Sequence, residues 1–220
     1  MTTTRQGDDL DAAFPMGVYD TRAFPDDPAY FGIRRYPYST DPAKNPLHLG
    51  LIADSAALPD PTVVPVAVDN AAAPNSEAHA AGEVWSEMMF EAFIAILRRS
   101  TEDKPPYDFE GARRRMGDIV EAAMVLAPED PTYTEMRDAV LAGAVTFDDV
   151  DASTIAAAFA KRGAGTCAVS PARDSVDFEG VVDDDTVGGA YSIASIAIDD
   201  GAQSCDGDGL LDAGEHGRVT

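Results

Sequence analysis

With 220 residues, 45% of them apolar, the chain can bury one substantial core and at most part of a second. Its formal net charge of −23, from 39 Asp and Glu against 16 Lys and Arg, argues against a nucleic acid or an anionic membrane as partner, since both need a basic face. No apolar run approaches the roughly 20 residues that cross a bilayer, and the opening Met-Thr-Thr-Thr-Arg-Gln-Gly-Asp-Asp has no signal-peptide core.

Residues 1–73 read as irregular. Ten of the 15 prolines fall before residue 75, and the apolar positions there keep no period. Such a segment is expected to wrap another surface, one outside this chain, with short helical turns at Ala43–Leu47 or Leu49–Ala56. At Pro74 the character changes. Ala81, Val84, Trp85, Met88, Met89, Ala92, Phe93, Ile96 and Leu97 recur at spacings of three and four, which predicts a helix from Asn75 or Ser76, as its cap, to Arg98 and Arg99.

Three more helices follow. The second is predicted over Phe109–Leu126, with Ala112, Met116, Ile119, Val120, Ala123 and Met124 on one face and Pro128 closing it. The third opens on Thr132-Tyr-Thr-Glu135, a capping-box pattern, and runs to about Gly143. The fourth starts near Asp151 or Ser153, buries Ile155, Ala156 and Phe159, and stops at Lys161-Arg162-Gly163. Beyond Gly165 the chain turns acidic, with 12 Asp and Glu and no Lys or Arg from Asp174 to Glu215. Tyr191–Ile198 alternates like a strand, and Arg218-Val-Thr looks like the start of another. The organisation is therefore mainly α: a Pro-rich segment at 1–73, a helical lobe at 74–185, and the start of an acidic β module at 186–220.

Few residues here suit chemistry. The three histidines, His48, His79 and His216, are far apart, and no His-Glu-x-x-His helix, Gly-x-Ser-x-Gly elbow or phosphate loop is present. His79 and Glu83 are four apart, either a two-ligand metal edge or an ordinary polar pair. Cys167 and Cys205 form one disulfide or remain two thiols. Ser204, Asp206, Asp208, Asp212 and Glu215 place oxygens at the alternating positions of a calcium loop, with Gly209 at its turn. The rival reading of that stretch is a glycine-rich acidic turn.

Four stretches carry a resemblance. Asn75-Ser-Glu-Ala-His-Ala-Ala-Gly-Glu-Val-Trp85, Gly32-Ile-Arg-Arg-Tyr-Pro-Tyr-Ser-Thr-Asp41, Pro131-Thr-Tyr-Thr-Glu-Met-Arg-Asp-Ala-Val-Leu141 and Ala158-Phe-Ala-Lys-Arg-Gly-Ala-Gly165 are similar, in order and spacing, to segments of the fungalysin metallopeptidases. The resemblance spans roughly residues 14–185 and implies the C-terminal helical lobe of a thermolysin-like zinc endopeptidase, secreted and acting on protein or peptide substrates. In that family a His-Glu-x-x-His helix and a later Glu hold zinc, and the first Glu activates the attacking water. Those residues belong ahead of the resembling part, so this chain is expected to hold no zinc ligand, to be inactive alone, and to need an upstream frame or a split partner.

The resemblance assigns His79 to the oxyanion of the tetrahedral intermediate, with Glu77 orienting or partly charging its ring. It assigns Arg34 or Arg35 to a substrate carbonyl, where a guanidinium fork can donate two bonds. The alternative is a non-catalytic interaction module with a calcium-stabilised β appendage. Calorimetric titration of the chain with calcium is expected to release heat that Asp208→Ala abolishes; a silent wild-type titration removes calcium from the reading.

Overall fold

The structure, a computed structural model, describes residues 4–22, 28–59, 73–188, 198–203 and 216–219. The chain divides into two compact units, Met1–Gly188 and Gly189–Thr220. The first contains short helices α1 (Val18–Thr21) and α2 (Pro28–Phe31), a 3-10 turn at Leu49–Ile52, and four longer helices. These are α3 (Ala78–Arg99), α4 (Phe109–Leu126), α5 (Tyr133–Val145) and α6 (Asp149–Lys161). The second unit shows strands β1 (Ile198–Gln203) and β2 (His216–Val219), antiparallel, with Ile198 opposite Val219 and Gln203 opposite His216. Their register slips between Asp199 and Gln203, where Gly201 lies, as glycines in strands often allow. The fold is mainly α.

The α3 helix is the centre of the first unit. It packs on α4, on α6 and on the 3-10 turn, while α5 bridges α4 and α6. The apolar stripe predicted for it is buried, with Trp85 half-buried, but Phe90 and Ile94 are buried as well, so the helix is enclosed nearly all round. Trp85 stacks on Phe159 of α6 and meets Tyr133 edge-on, each with ring centroids 6.1 Å apart. On the opposite side Phe90 packs against Phe14 and Tyr38. No helix among the described residues is long and apolar enough to cross a membrane.

The described part of the irregular N-terminal segment packs on a surface of its own chain. Phe14, Tyr36, Tyr38, Leu47, Leu49, Leu51 and Ile52 all join the α3 core. Phe14 and Tyr38 exchange backbone hydrogen bonds of 2.8 and 3.0 Å, forming a single isolated antiparallel bridge. Prolines keep the segment from regular structure, while its apolar side chains still find the core.

Caps explain where the helix starts differ from expectation. At α5 the capping box forms as read, between Thr132 and Glu135. At α6 the cap is Asp148, whose carboxylate accepts from Val150 N and Asp151 N at 2.7 and 3.0 Å. Asp151, expected near the start, is instead fully buried against Arg99 and the Tyr107 hydroxyl. Burial, aided by the hydrogen bond to Asp151, pushes that phenol above its ordinary range. At α4 the expected face is buried except Val120, which is half-buried, and Met124, which is exposed near the end of the helix. Gly163 adopts φ +77°, the left-handed stop expected after α6. The region expected as a first strand, Tyr191–Ile198, lies outside the described residues except for Ile198, as do Cys205 and the calcium-loop residues Ser204, Asp206, Asp208, Asp212 and Glu215.

Three acidic side chains, Glu83, Glu87 and Glu91, point from α3 into the protein. Glu87 faces Arg162 at 2.8 Å and accepts from the Asn45 amide at 2.7 Å. Burial pushes its carboxyl well above the usual range, Arg162 pulls it back, and the Glu91 charge adds to the rise. A native carboxyl held above its unfolded value of 4.5 stabilises the fold fully below that value and loses this contribution as pH rises through its folded one. Thermal melts of Glu87→Gln are therefore expected to match wild type in acid and to lose less stability as pH rises. Arg162→Ala, which leaves Glu87 without a cation and Glu91 with Lys161 alone, should cost about 3–5 kcal/mol at neutral pH.

Candidate functional site

The first turn of α3 reaches solvent, as does Arg98 near its other end. Pro74 halts the preceding chain, and Asn75 and Ser76 are drawn away from the capping role expected of them. The Asn75 amide donates to Ala53 O and Ala56 O, both at 2.8 Å, and Ser76 turns to the Asp54 carboxylate. Glu77 caps the helix in their place. Its Oε2 accepts from the backbone of His79 at 2.9 Å and of Ala80 at 3.2 Å, two of the donors a helix start leaves unpaired.

The other Glu77 oxygen, Oε1, lies 2.8 Å from His79 Nδ1. One carboxylate thus fixes both the backbone and the ring of the same histidine. The hydrogen bond from His79 holds the Glu77 carboxyl below its usual range, so it is an anion at neutral pH and can only accept. Nδ1 therefore carries the proton, and Nε2 is the nitrogen left for a ligand. The imidazole is 73% exposed.

His79 and Glu83 do not form a metal edge. Glu83 is 2% exposed and pairs with Arg35, its Oε2 2.6 Å from Arg35 Nε. Its helix position faces the core, whereas His79 stands at the open end. Arg35 itself is 7% exposed, and its remaining nitrogens donate to Asn75 Oδ1 at 3.2 Å and Ala80 O at 2.9 Å. Every arm of its fork is occupied by the chain. Arg34 is half-buried, and its enclosed Nε meets no acceptor among the described residues.

Two features of this region escaped the reading of the sequence. Glu83 was legible, in retrospect, as one of three glutamates four residues apart within an apolar run, a pattern that requires buried partners. The Tyr133 hydroxyl donates to Ala81 O at 3.0 Å, tying α5 to the turn after His79; burial pushes this phenol up to about 12. No local pattern announces that bond.

Zinc does not fit the described residues. No group of three or more His, Cys, Asp or Glu among the described residues is placed to hold a metal ion. His48, the other histidine of the first unit, is engaged through Nδ1 with Asp183 Oδ2 at 2.7 Å.

The profile of the fungalysin metallopeptidases (M36) matches residues 1–168. The chain belongs to this family. Among similar fungalysin-like relatives, an extracellular metalloproteinase of Aspergillus terreus (strain NIH 2624 / FGSC A1156) is 28% identical over 171 residues, covering 73% of this chain and 22% of its own length. One of Aspergillus fumigatus (strain CBS 144.89 / FGSC A1163 / CEA10) is 30% identical over 153 residues, 66% of this chain and 21% of its own. One of Pyricularia oryzae (strain 70-15) is 27% identical over 170 residues, 74% of this chain and 23% of its own. The fungalysin chain described here thus spans about a fifth of the length of these curated relatives. All four stretches that carry the family resemblance lie inside the matched region.

Because the folded Glu77 carboxyl sits below its unfolded value of 4.5, its contribution is present above that value and is lost as pH falls through the folded one. Amide exchange, corrected for intrinsic rates, should show His79 and Ala80 losing protection across that acid window, while mid-helix Ile94 keeps its own. Glu77→Ala should abolish the pH dependence; if both amides stay protected in the variant, another group caps the helix.

Proposed function

We propose that this chain is the His79-bearing wall of an extracellular, zinc-dependent metalloendopeptidase site. The observation that carries the reading is the Glu77–His79 pair: an exposed imidazole, gripped through Nδ1 by a carboxylate that also caps its helix. A ring that donates from Nδ1 to Glu77 can also donate from Nε2 only as the imidazolium, and the Glu77 anion supplies the countercharge. Such a donor is suited to the negative oxygen that develops when a peptide carbonyl is attacked. Rigidity adds to this, because most of α3 is buried and the donor does not have to be ordered during the reaction.

Arg34 is the better of the two arginines for a substrate carbonyl. Each nitrogen of Arg35 is engaged by the chain, whereas Arg34 is half-buried and its side chain makes no hydrogen bond or ion pair among the described residues. Zinc, the metal that family membership implies, has no ligand set among these residues, so the attacking water and its activation belong to other parts of a complete enzyme. The extracellular assignment rests on the similarity to fungal extracellular metalloproteinases.

The lack of a His-Glu-x-x-His helix in the 220 residues favours a second reading, a non-catalytic interaction module. Under either reading the isolated polypeptide should not cleave casein with zinc added. A chimera that joins this chain to the zinc-bearing segment of a fungal relative separates them. It should hydrolyse peptides, and His79→Gln should lower kcat by about 10²–10³-fold with little change in KM. An active chimera indifferent to that substitution refutes the role of His79; a folded but inactive one supports the module.

A further inference from the structure

The Arg35–Glu83 pair grips more of the chain than a helix brace requires. Arg35 donates from Nε to Glu83, from Nη1 to Asn75 Oδ1, and from Nη2 to Ala80 O. Asn75 is at the entry to α3, and Ala80 follows His79 directly. The second oxygen of Glu83 accepts from the backbone of Tyr36 at 3.2 Å. The pair therefore holds the Arg34–Tyr36 segment with one partner and both sides of His79 with the other. Asn75 extends the grip to Ala53 and Ala56 through its amide.

Energetics point the same way. Two charges taken this far from water gain little net stability, because desolvation offsets most of their attraction. A planar fork with three acceptors in fixed directions does, however, define orientation as well as distance. What the arrangement yields is geometry. We propose that Arg35 and Glu83 are positioning residues, which hold the backbone that carries Arg34 and the helix turn that presents His79 in one fixed relation. This rests on the role given above to those two side chains.

The test uses the 220-residue chain itself, labelled with ¹⁵N, and reads three things: the melting temperature, amide exchange at His79 and Ala80 against Ile94, and the His79 ring nitrogens. Arg35→Lys keeps a positive charge beside Glu83 but cannot span three acceptors. Arg35→Met combined with Glu83→Leu replaces the pair by apolar groups of similar bulk, which commonly preserves stability. In both variants the two amides should exchange about tenfold faster relative to Ile94, with melting little changed. The ring should shift from a single Nδ1-protonated signature toward a mixture of tautomers. Wild-type exchange and ring signals in a folded double variant would show the pair to be structural only and overturn the proposal. Should the double variant not fold, Arg35→Lys decides alone by the same two readouts. These signals do not depend on turnover, so failure of His79→Gln to slow the chimera would sink the catalytic reading and leave the positioning result standing.

Discussion

Three carboxylates one helical turn apart, Glu83, Glu87 and Glu91, decide how this protein folds around its central helix. Each is buried, and each must meet a cation or a donor that comes from elsewhere in the chain. Arg35 answers Glu83; Asn45 and Arg162 answer Glu87; Arg162 and Lys161 answer Glu91. Arg162 does more than neutralise them. Its nitrogens also donate to the carbonyls of Ser39, Asn45 and Leu47, at 2.6, 2.7 and 3.1 Å. A proline-rich stretch cannot satisfy its own backbone by forming a sheet or a helix, so burying it would leave carbonyls unpaired. The guanidinium at the end of α6 removes that obstacle, which is why residues 35–40, Asn45 and Leu47 can be buried without regular structure.

The same arrangement fixes what α3 can offer to the outside. Its far end is closed by Arg99, bound to Asp151 and set over the Tyr107 ring, and its middle is surrounded by aromatic and aliphatic side chains. Arg98, at that far end, reaches solvent, and the first turn is open. There the cap is a glutamate in place of the more usual asparagine or serine, and the longer side chain has the reach to cap the helix and hold the His79 ring together. A shorter Asn or Asp could cap the backbone, but the pairing with the ring depends on that reach.

The profile of the family ends at residue 168, yet the first structural unit continues to Gly188. The intervening acidic stretch is fastened to the body by its carboxylates. Glu179 accepts from Ser55 N and Oγ, Asp183 from Gly50 N, and Asp184 from Cys167 N, at distances between 2.6 and 2.8 Å. Gly50 and Gly163 leave the space that Asp183 occupies, since a Cβ at either would come within 2.5 Å of its oxygens. Some of the large negative charge is thus used as backbone acceptors that pin this strap in place.

The four long helices and the thermolysin-like family were legible in the sequence because both depend on local signals. Periodicity of three and four marked α3, α4 and α6, the Thr132–Glu135 box marked α5, the Gly163 stop set one boundary, and four short motifs in order pointed to fungalysin. His79 could be singled out from the same motifs. Which residue caps α3, where α6 begins, and which of Arg34 and Arg35 is committed to the interior were decided only by tertiary structure. In each case several chemically suitable residues stood side by side, and the choice turned on partners more than 20 positions away: Ala53 and Asp54 for Asn75 and Ser76, Arg99 for Asp151, Glu83 for Arg35. Local pattern determines that a helix begins, while competition for distant donors and acceptors determines which side chain begins it and which remains for chemistry.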